Sequence, residues 1–239
     1  MRISRRNLQK WLRPLERTPL HPQFLVLQHR TEIGSWISTY AHGTLADIGC
    51  GDGALRHQLP GSVRYVGIDY PGTVALGYEG SPDILADAAC LPIATSSIDV
   101  VTLLDVLEHL RNPDKALSEI ARILRPEGRC LIHVPFIYPL HDEPHDYQRW
   151  TRYGLQQLAT RNGLLVIDIA ESLPSVTTAA ALAAMALASA VLEGAHRPGR
   201  GFLLAALLLP LIPVVNIAGW AAGKLLPAAA IMPFSYRLV

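Results

Sequence analysis

Two groups of residues in this chain have types and spacings that could do chemistry. The first is Asp47, then glycines at 49, 51 and 53, then Asp69 and Tyr70, sixteen and seventeen residues after Gly53. Glycine accepts positive φ and lets backbone approach a ligand closely. A carboxylate at the tip of a second strand is where a βαβ nucleotide fold holds ribose hydroxyls. The glycines are spaced G-x-G-x-G, not the dinucleotide G-x-G-x-x-G. Asp47 would repel a pyrophosphate but suits a cofactor carrying positive charge. The pattern therefore points to an adenosine-containing, cationic cofactor. The second group is the polar run His141 to Thr151. In one reading, His145 or His141 is a general base for a substrate hydroxyl, oriented by Asp142 or Asp146, because imidazole titrates near neutrality. In the other, Arg149, Tyr147 and the acids form a hydrogen-bonded clamp that orders the loop. His141 and His145 lie four apart, but Pro144 disfavours one helix carrying both, and no metal is expected.

These residues need a scaffold, and the apolar pattern supplies one. Phe24–Tyr40 reads as a helix before the first strand. Strands are expected at Leu45–Ile48, Val63–Ile68 and within Ile84–Pro92. Another covers Ser97–Leu104, whose nearly unbroken apolar run fits a central parallel strand covered on both faces. Asp105 then falls at a strand's carboxyl end, where α/β sites form. Asn112-Pro113 opens a helix running to Leu124. Arg125–Arg129 reads as a tight turn into a fifth strand, Cys130–Pro135. Thr151 caps a helix Arg152–Asn162 closed by Gly163, and Leu164–Ile169 reads as strand 6. The tail after Pro227 supplies strand 7.

Five blocks in order, from Leu45–Gly53 through Asp69, Ile84–Pro92 and Ser97–Leu110 to "ARILRPEGRCLIHVP", resemble the class I S-adenosylmethionine-dependent methyltransferases, type 11 group. The resemblance covers residues 45 to 135. It implies an α/β, Rossmann-like, seven-stranded mostly parallel sheet with strand 7 antiparallel. It implies S-adenosylmethionine (SAM) as cofactor, with Asp47, Gly49 and Gly51 at the methionine portion and Asp69 with Tyr70 at the ribose. Asp87 and Ala88 would meet the adenine edge, and Asp105 would border the reactive end. His145, His141 and Asp146 are the candidate catalytic residues.

The chain has 239 residues, formal net charge +1 and 17% charged residues. Three cysteines, Cys50, Cys90 and Cys130, form no C-x-x-C pair and read as reduced thiols. Residues 1–17 carry a net charge of +5 around Leu8, Trp11, Leu12 and Leu15, a basic amphipathic helix that suits either an anionic membrane surface or packing on the domain. Residues 172–192 are uncharged with eight alanines, and 202–223 are again uncharged. That makes an apolar helical hairpin inserted between strands 6 and 7. Each arm approaches the roughly 20 residues that span a bilayer, but Arg197 and Arg200 at the turn fit a hairpin dipping into one leaflet or lying at the interface better than one spanning it. A soluble helical cap is the alternative. The expected organisation is 1–42 basic and capping helices, 43–172 SAM-binding domain, 173–228 hairpin and 229–239 terminal strand.

The reading is a methyltransferase acting on a hydroxyl of a small, amphiphilic acceptor (a quinone precursor, a lipid or a lipid-linked sugar) at the cytoplasmic face of the membrane. Its rivals are a non-catalytic membrane-associated SAM-binding scaffold and an NAD(P) oxidoreductase, which the glycine spacing disfavours. A nucleic-acid partner is not expected, since no N/D-P-P-Y/F motif follows strand 4.

Overall fold

A computed structural model describes residues 12–73, 80–196, 199–226 and 231–239. The basic helix expected over Ile3–Leu15 falls mostly outside the described residues, as does Arg197 of the expected turn. The chain divides into two compact units, Ile33–Ser172 with Ser235–Val239, and Met1–Glu32 with Leu173–Phe234.

In the first unit a seven-stranded sheet runs in the order β3-β2-β1-β4-β5-β7-β6. The strands are β1 Thr44–Ile48, β2 Arg64–Asp69, β3 Ile84–Leu85, β4 Ile98–Leu104, β5 Leu124–Pro135, β6 Ile169–Ser172 and β7 Ser235–Leu238. β1 pairs in parallel with β2 on one side and β4 on the other. β7 is antiparallel to both β5 and β6. This is the expected seven-stranded, mostly parallel sheet with a reversed last strand. β1 and β4 are apolar because both faces of the sheet are covered: Leu45, Ala46, Val100, Val101 and Leu103 are fully buried.

Helix α1 spans Phe24–Tyr40, as the sequence predicts. Its C-terminal part contributes Ile37 to the cluster around Leu45, Val100 and Leu131. Helix α2, Pro113–Ile123, starts where Asn112 caps it, Oδ1 accepting from the Lys115 N–H at 3.1 Å. Ala116, Leu117, Ile120 and Ile123 recur at helical spacing and form its buried face. Helix α3, Arg152–Arg161, is capped by Thr151, whose hydroxyl accepts from the Gly154 N–H at 3.2 Å.

Two boundaries differ from the sequence reading. β5 takes up its ladder at Leu124, opposite Ile98, and then jumps to Arg129 opposite Val100. The predicted turn at Arg125–Arg129 is therefore a bulge inside the strand, with Glu127 at φ 66°. Strand 6 lies at Ile169–Ser172 rather than Leu164–Ile169. Its register is set by β7, where Ile169 stands opposite Leu238. Just before it, the Ile167 and Asp168 N–H groups donate to the Val239 carbonyl, and further back Leu165 is 86% exposed.

The second unit carries the hairpin. α4 is Ser175–Ala195, α5 is Arg200–Leu208 and α6 is Leu211–Leu225. The returning arm thus breaks at Leu209-Pro210, where a proline cannot continue the hydrogen-bond ladder. α4 and α6 approach closely because small residues line their contact. A Cβ on Gly219 would lie 2.2 Å from that of Ala180, and one on Gly223 would lie 2.2 Å from the Thr177 hydroxyl oxygen. Glycines four apart on one helix permit this backbone approach. Asn216, fully buried, donates from Nδ2 to the Pro19 and His21 carbonyls at 2.8 and 3.0 Å. By length and composition, the segments Ser175–Ala195 and Arg200–Leu225 are each long and apolar enough to cross a membrane. Phe202, Leu203, Leu204, Leu207 and Val214 point outward and are exposed.

Candidate functional site

The site forms at the carboxyl ends of β1, β2 and β4. Asp47 is the only carboxylate on β1 and is 3% exposed. Its oxygens accept from the Tyr65 hydroxyl of β2 and the Thr102 hydroxyl of β4, each at 2.7 Å. Burial raises its pKa, the two hydroxyls pull the other way, and the Asp69 charge adds to the rise.

The turn after β1 has Gly49, Gly51 and Gly53 at φ 76°, 54° and 72°. At Gly49 a side chain is excluded twice, by its positive φ and by Val106, whose methyl a Cβ would meet at 2.2 Å. The Gly49 and Cys50 N–H groups donate to the Ile68 carbonyl, and the Gly51 N–H donates to Asp69 Oδ2 at 2.9 Å. Asp69 Oδ1 accepts from the Tyr70 N–H at 2.7 Å and the Thr73 hydroxyl at 2.8 Å. Asp69 is thus buried and tied to the glycine turn, while Tyr70 beside it is 58% exposed. Gly53 has open space where a side chain would stand. A cleft of about 360 Å³ opens beside the turn, lined by Cys50, Asp52, Gly53, Arg56, Tyr65 and Gly67 among others. Asp69, Asp87 and Asp105 do not line it. Asp87 is exposed and turns its Oδ1 to the Ala89 N–H at 2.9 Å, a turn-capping contact, with Ala88 buried next to it.

Asp105 follows β4 in a left-handed conformation, φ 55°, that L residues adopt at a cost of roughly 1–3 kcal/mol. Its Oδ1 lies 2.7 Å from His133 Nδ1, and its N–H donates to the His133 carbonyl. His133 is buried on β5, and its Nε2 lies 2.7 Å from the Ser235 hydroxyl of β7. Ser235 in turn hydrogen-bonds Ser172 of β6. Burial alone would lower the His133 pKa, but the Asp105 carboxylate outweighs it and the net shift is upward. Sequence reasoning missed this chain of contacts. Its one visible signal was a histidine inside the apolar strand Cys130–Pro135.

The His141–Thr151 loop contains no helix. It is docked on the segment after Asp105: the Tyr147 N–H donates to the Glu108 carbonyl, Gln148 Nε2 to the Leu110 carbonyl, and Arg111 Nε to the Tyr147 hydroxyl. Asp146 is gripped by Arg149 through both oxygens and accepts the His141 N–H at 3.2 Å. Burial would raise the Asp146 pKa, but Arg149 overrides it and holds the carboxyl low. The two histidines part company. The His145 ring lies 3.0 Å from the Tyr147 hydroxyl, whereas the His141 ring turns to Asp146, His109 and the buried Glu108.

Residues 46–132 match the model of a family described as "Methyltransferase domain". The chain is 35% identical over 104 residues to a ubiquinone/menaquinone biosynthesis C-methyltransferase of Geobacter sulfurreducens, covering 38% of this chain and 41% of that protein. It is 31% identical over 106 residues to a ubiquinone biosynthesis O-methyltransferase of Burkholderia vietnamiensis, covering 39% and 46%. The chain thus spans less than half the length of these curated relatives. Among solved structures, the 4+2 cyclase SpnF superposes with TM-score 0.53 at 19% identity, over 89% of this chain and 78% of that one, which shows the fold alone.

The Asp105–His133 pair gives stability a pH signature. A histidine whose folded pKa is raised stabilises fully below its unfolded value of about 6.5, and loses that contribution as pH rises through the folded value. The charges facing His133 are Asp105, Glu108 and Arg237. Asp105→Asn is therefore expected to destabilise the protein at pH 5.5 and to have a smaller effect at pH 8.5, read as the difference in melting midpoint from wild type at each pH. An equal shift at both would reject the pairing.

Proposed function

We propose, from the match of residues 46–132 to a family described as "Methyltransferase domain", that the chain transfers the methyl group of SAM to a hydroxyl of a small, amphiphilic acceptor at a membrane surface. When bound, the cofactor supplies an electrophilic methyl on a cationic sulfur. The observation that carries the reading is the bond from the Gly51 N–H to Asp69, which sets an acidic side chain against a glycine turn at adjoining strand ends.

Asp47 and the turn would hold the methionine portion, with Gly49 and Gly51 keeping the backbone close. Asp69 would take the ribose. An ionised carboxylate offers about four acceptor positions, and its three bonds to Gly51, Tyr70 and Thr73 leave room for a ribose hydroxyl. Tyr70 would flank the same group, and Asp87 with Ala88 would meet the adenine edge. Asp105 would border the reacting atoms. On the acceptor side, His145 is the candidate base for the hydroxyl proton. His141 and Asp146 complete the candidate catalytic group, with Asp146, committed to Arg149, in an orienting role. The chain's main task is to align nucleophile, methyl and sulfur, which can be worth roughly 7–11 kcal/mol.

The choice of acceptor has separate supports. Two matched relatives are named for quinone biosynthesis, one methylating carbon and one oxygen. The polar, histidine-containing loop favours oxygen here. The two long apolar segments, Ser175–Ala195 and Arg200–Leu225, with outward leucines favour an acceptor that partitions into lipid.

Incubating the purified chain with methyl-labelled SAM and separate lipid, soluble and RNA fractions should place the label in an organic-extractable small molecule as a methyl ether. Label in RNA, or in no fraction, would contradict the proposal. Asp69→Ala should weaken SAM binding about tenfold or more, the loss of one charge-assisted hydrogen bond, and an unchanged calorimetric affinity would remove Asp69 from the ribose. Deleting residues 173–228 should abolish co-sedimentation with anionic lipid vesicles; a deletion variant that still sediments with them would rule out the hairpin as the anchor.

A further inference from the structure

Glu108 poses a problem that the methyl-transfer roles leave unsolved. Its side chain is fully buried, yet neither carboxylate oxygen has a hydrogen-bond partner. A buried carboxylate without compensation costs several kcal/mol. What faces it are two imidazole nitrogens, His141 Nε2 at 3.5 Å and His109 Nε2 at 3.7 Å from the same oxygen.

The far sides of both rings decide what those nitrogens are. His109 Nδ1 lies 3.0 Å from the His145 carbonyl oxygen. His141 Nδ1 lies 3.2 Å from Asp146 Oδ2 and 3.3 Å from the Pro139 carbonyl oxygen. Carbonyls and carboxylates only accept, so each Nδ1 must carry the proton. In the neutral tautomer each Nε2 then presents a lone pair toward the Glu108 carboxylate. Three electron-rich donors would repel one another unless something positive stands between them. Protons on both rings, or one proton shared by Glu108 and an imidazole, would do so, but such bonds close to about 2.9 Å or less, shorter than either contact. A metal ion accounts for the spacing better. Donors about 2.0–2.2 Å from a tetrahedral ion stand roughly 3.4 Å apart.

We propose that Glu108, His109 and His141 form a binding site for a divalent transition-metal ion of the zinc or manganese type. The ligand atoms lie within 4.8 Å of one another. Two imidazoles and one carboxylate leave coordination positions open, as in sites that bind a water or substrate oxygen. Asp146 acts as the outer carboxylate that fixes the His141 tautomer, and Arg149 holds Asp146 in place. The His145 carbonyl does the same for His109. The three ligands come from two segments, since Glu108 and His109 follow β4 and His141 follows β5. That is why the His141–His145 spacing pointed elsewhere. An acceptor oxygen would take an open position; that extension rests on the proposed function, whereas metal binding itself does not.

The test uses the full chain without a polyhistidine tag, treated with chelator and titrated with Zn²⁺ or Mn²⁺ by calorimetry, with no SAM present. Wild type should bind one equivalent and gain melting temperature on loading. Glu108→Gln and His141→Ala, each checked for a native circular-dichroism spectrum, should lose at least tenfold in affinity and lose the thermal gain. Asp146→Asn should weaken binding about 10–100-fold, as for other outer-shell partners. Failure of wild type to bind either ion, or affinity unchanged from wild type in Glu108→Gln or in His141→Ala, would overturn the proposal.

Discussion

A carboxylate in the middle of a sheet dictates much of this architecture. Asp47 sits on β1, an inner strand, with almost no access to water, and its two hydrogen bonds come from the strands on either side, Tyr65 on β2 and Thr102 on β4. Unpaired, such a group would cost several kcal/mol. With both hydroxyls in place it couples the three strands whose ends build the site. The glycine turn begins two residues later, so the position of the turn follows from the anchoring of Asp47. The same turn is then tied to Asp69 at the next strand end.

A second set of polar contacts works on the other half of the sheet. Asp105, His133, Ser235 and Ser172 link β4, β5, β7 and β6 in sequence through buried or half-buried groups. The left-handed backbone at Asp105 is held by its own N–H to the His133 carbonyl as well as by its side chain. The carboxyl edge of the sheet is thus braced by side chains rather than by ladder hydrogen bonds alone.

What was legible in the sequence was what local pattern encodes. The strand and glycine turn from Leu45 to Gly53, the buried β4 run and the caps at Asn112 and Thr151 all carry signals within a few residues, whereas the reversed last strand followed from the family resemblance. The boundaries that moved are those set by partners far along the chain. β6 is placed by its register with β7, and the Arg125–Gly128 bulge by where β4 begins. The side-chain pairs that span long separations were not legible either. Nothing near Glu108 in the sequence announces His141, and nothing near His133 announces Ser235. The histidines of the 141–151 loop read as equivalent until the fold gave them different neighbours.

The central claim is that the β1–β2–β4 edge holds SAM and not a nicotinamide dinucleotide. The most direct measurement is equilibrium dialysis of the purified chain against labelled SAM, with competitors added. One saturable site displaced by S-adenosylhomocysteine and indifferent to NADP⁺ is the predicted result. Absence of saturable uptake, or displacement by NADP⁺, would contradict it.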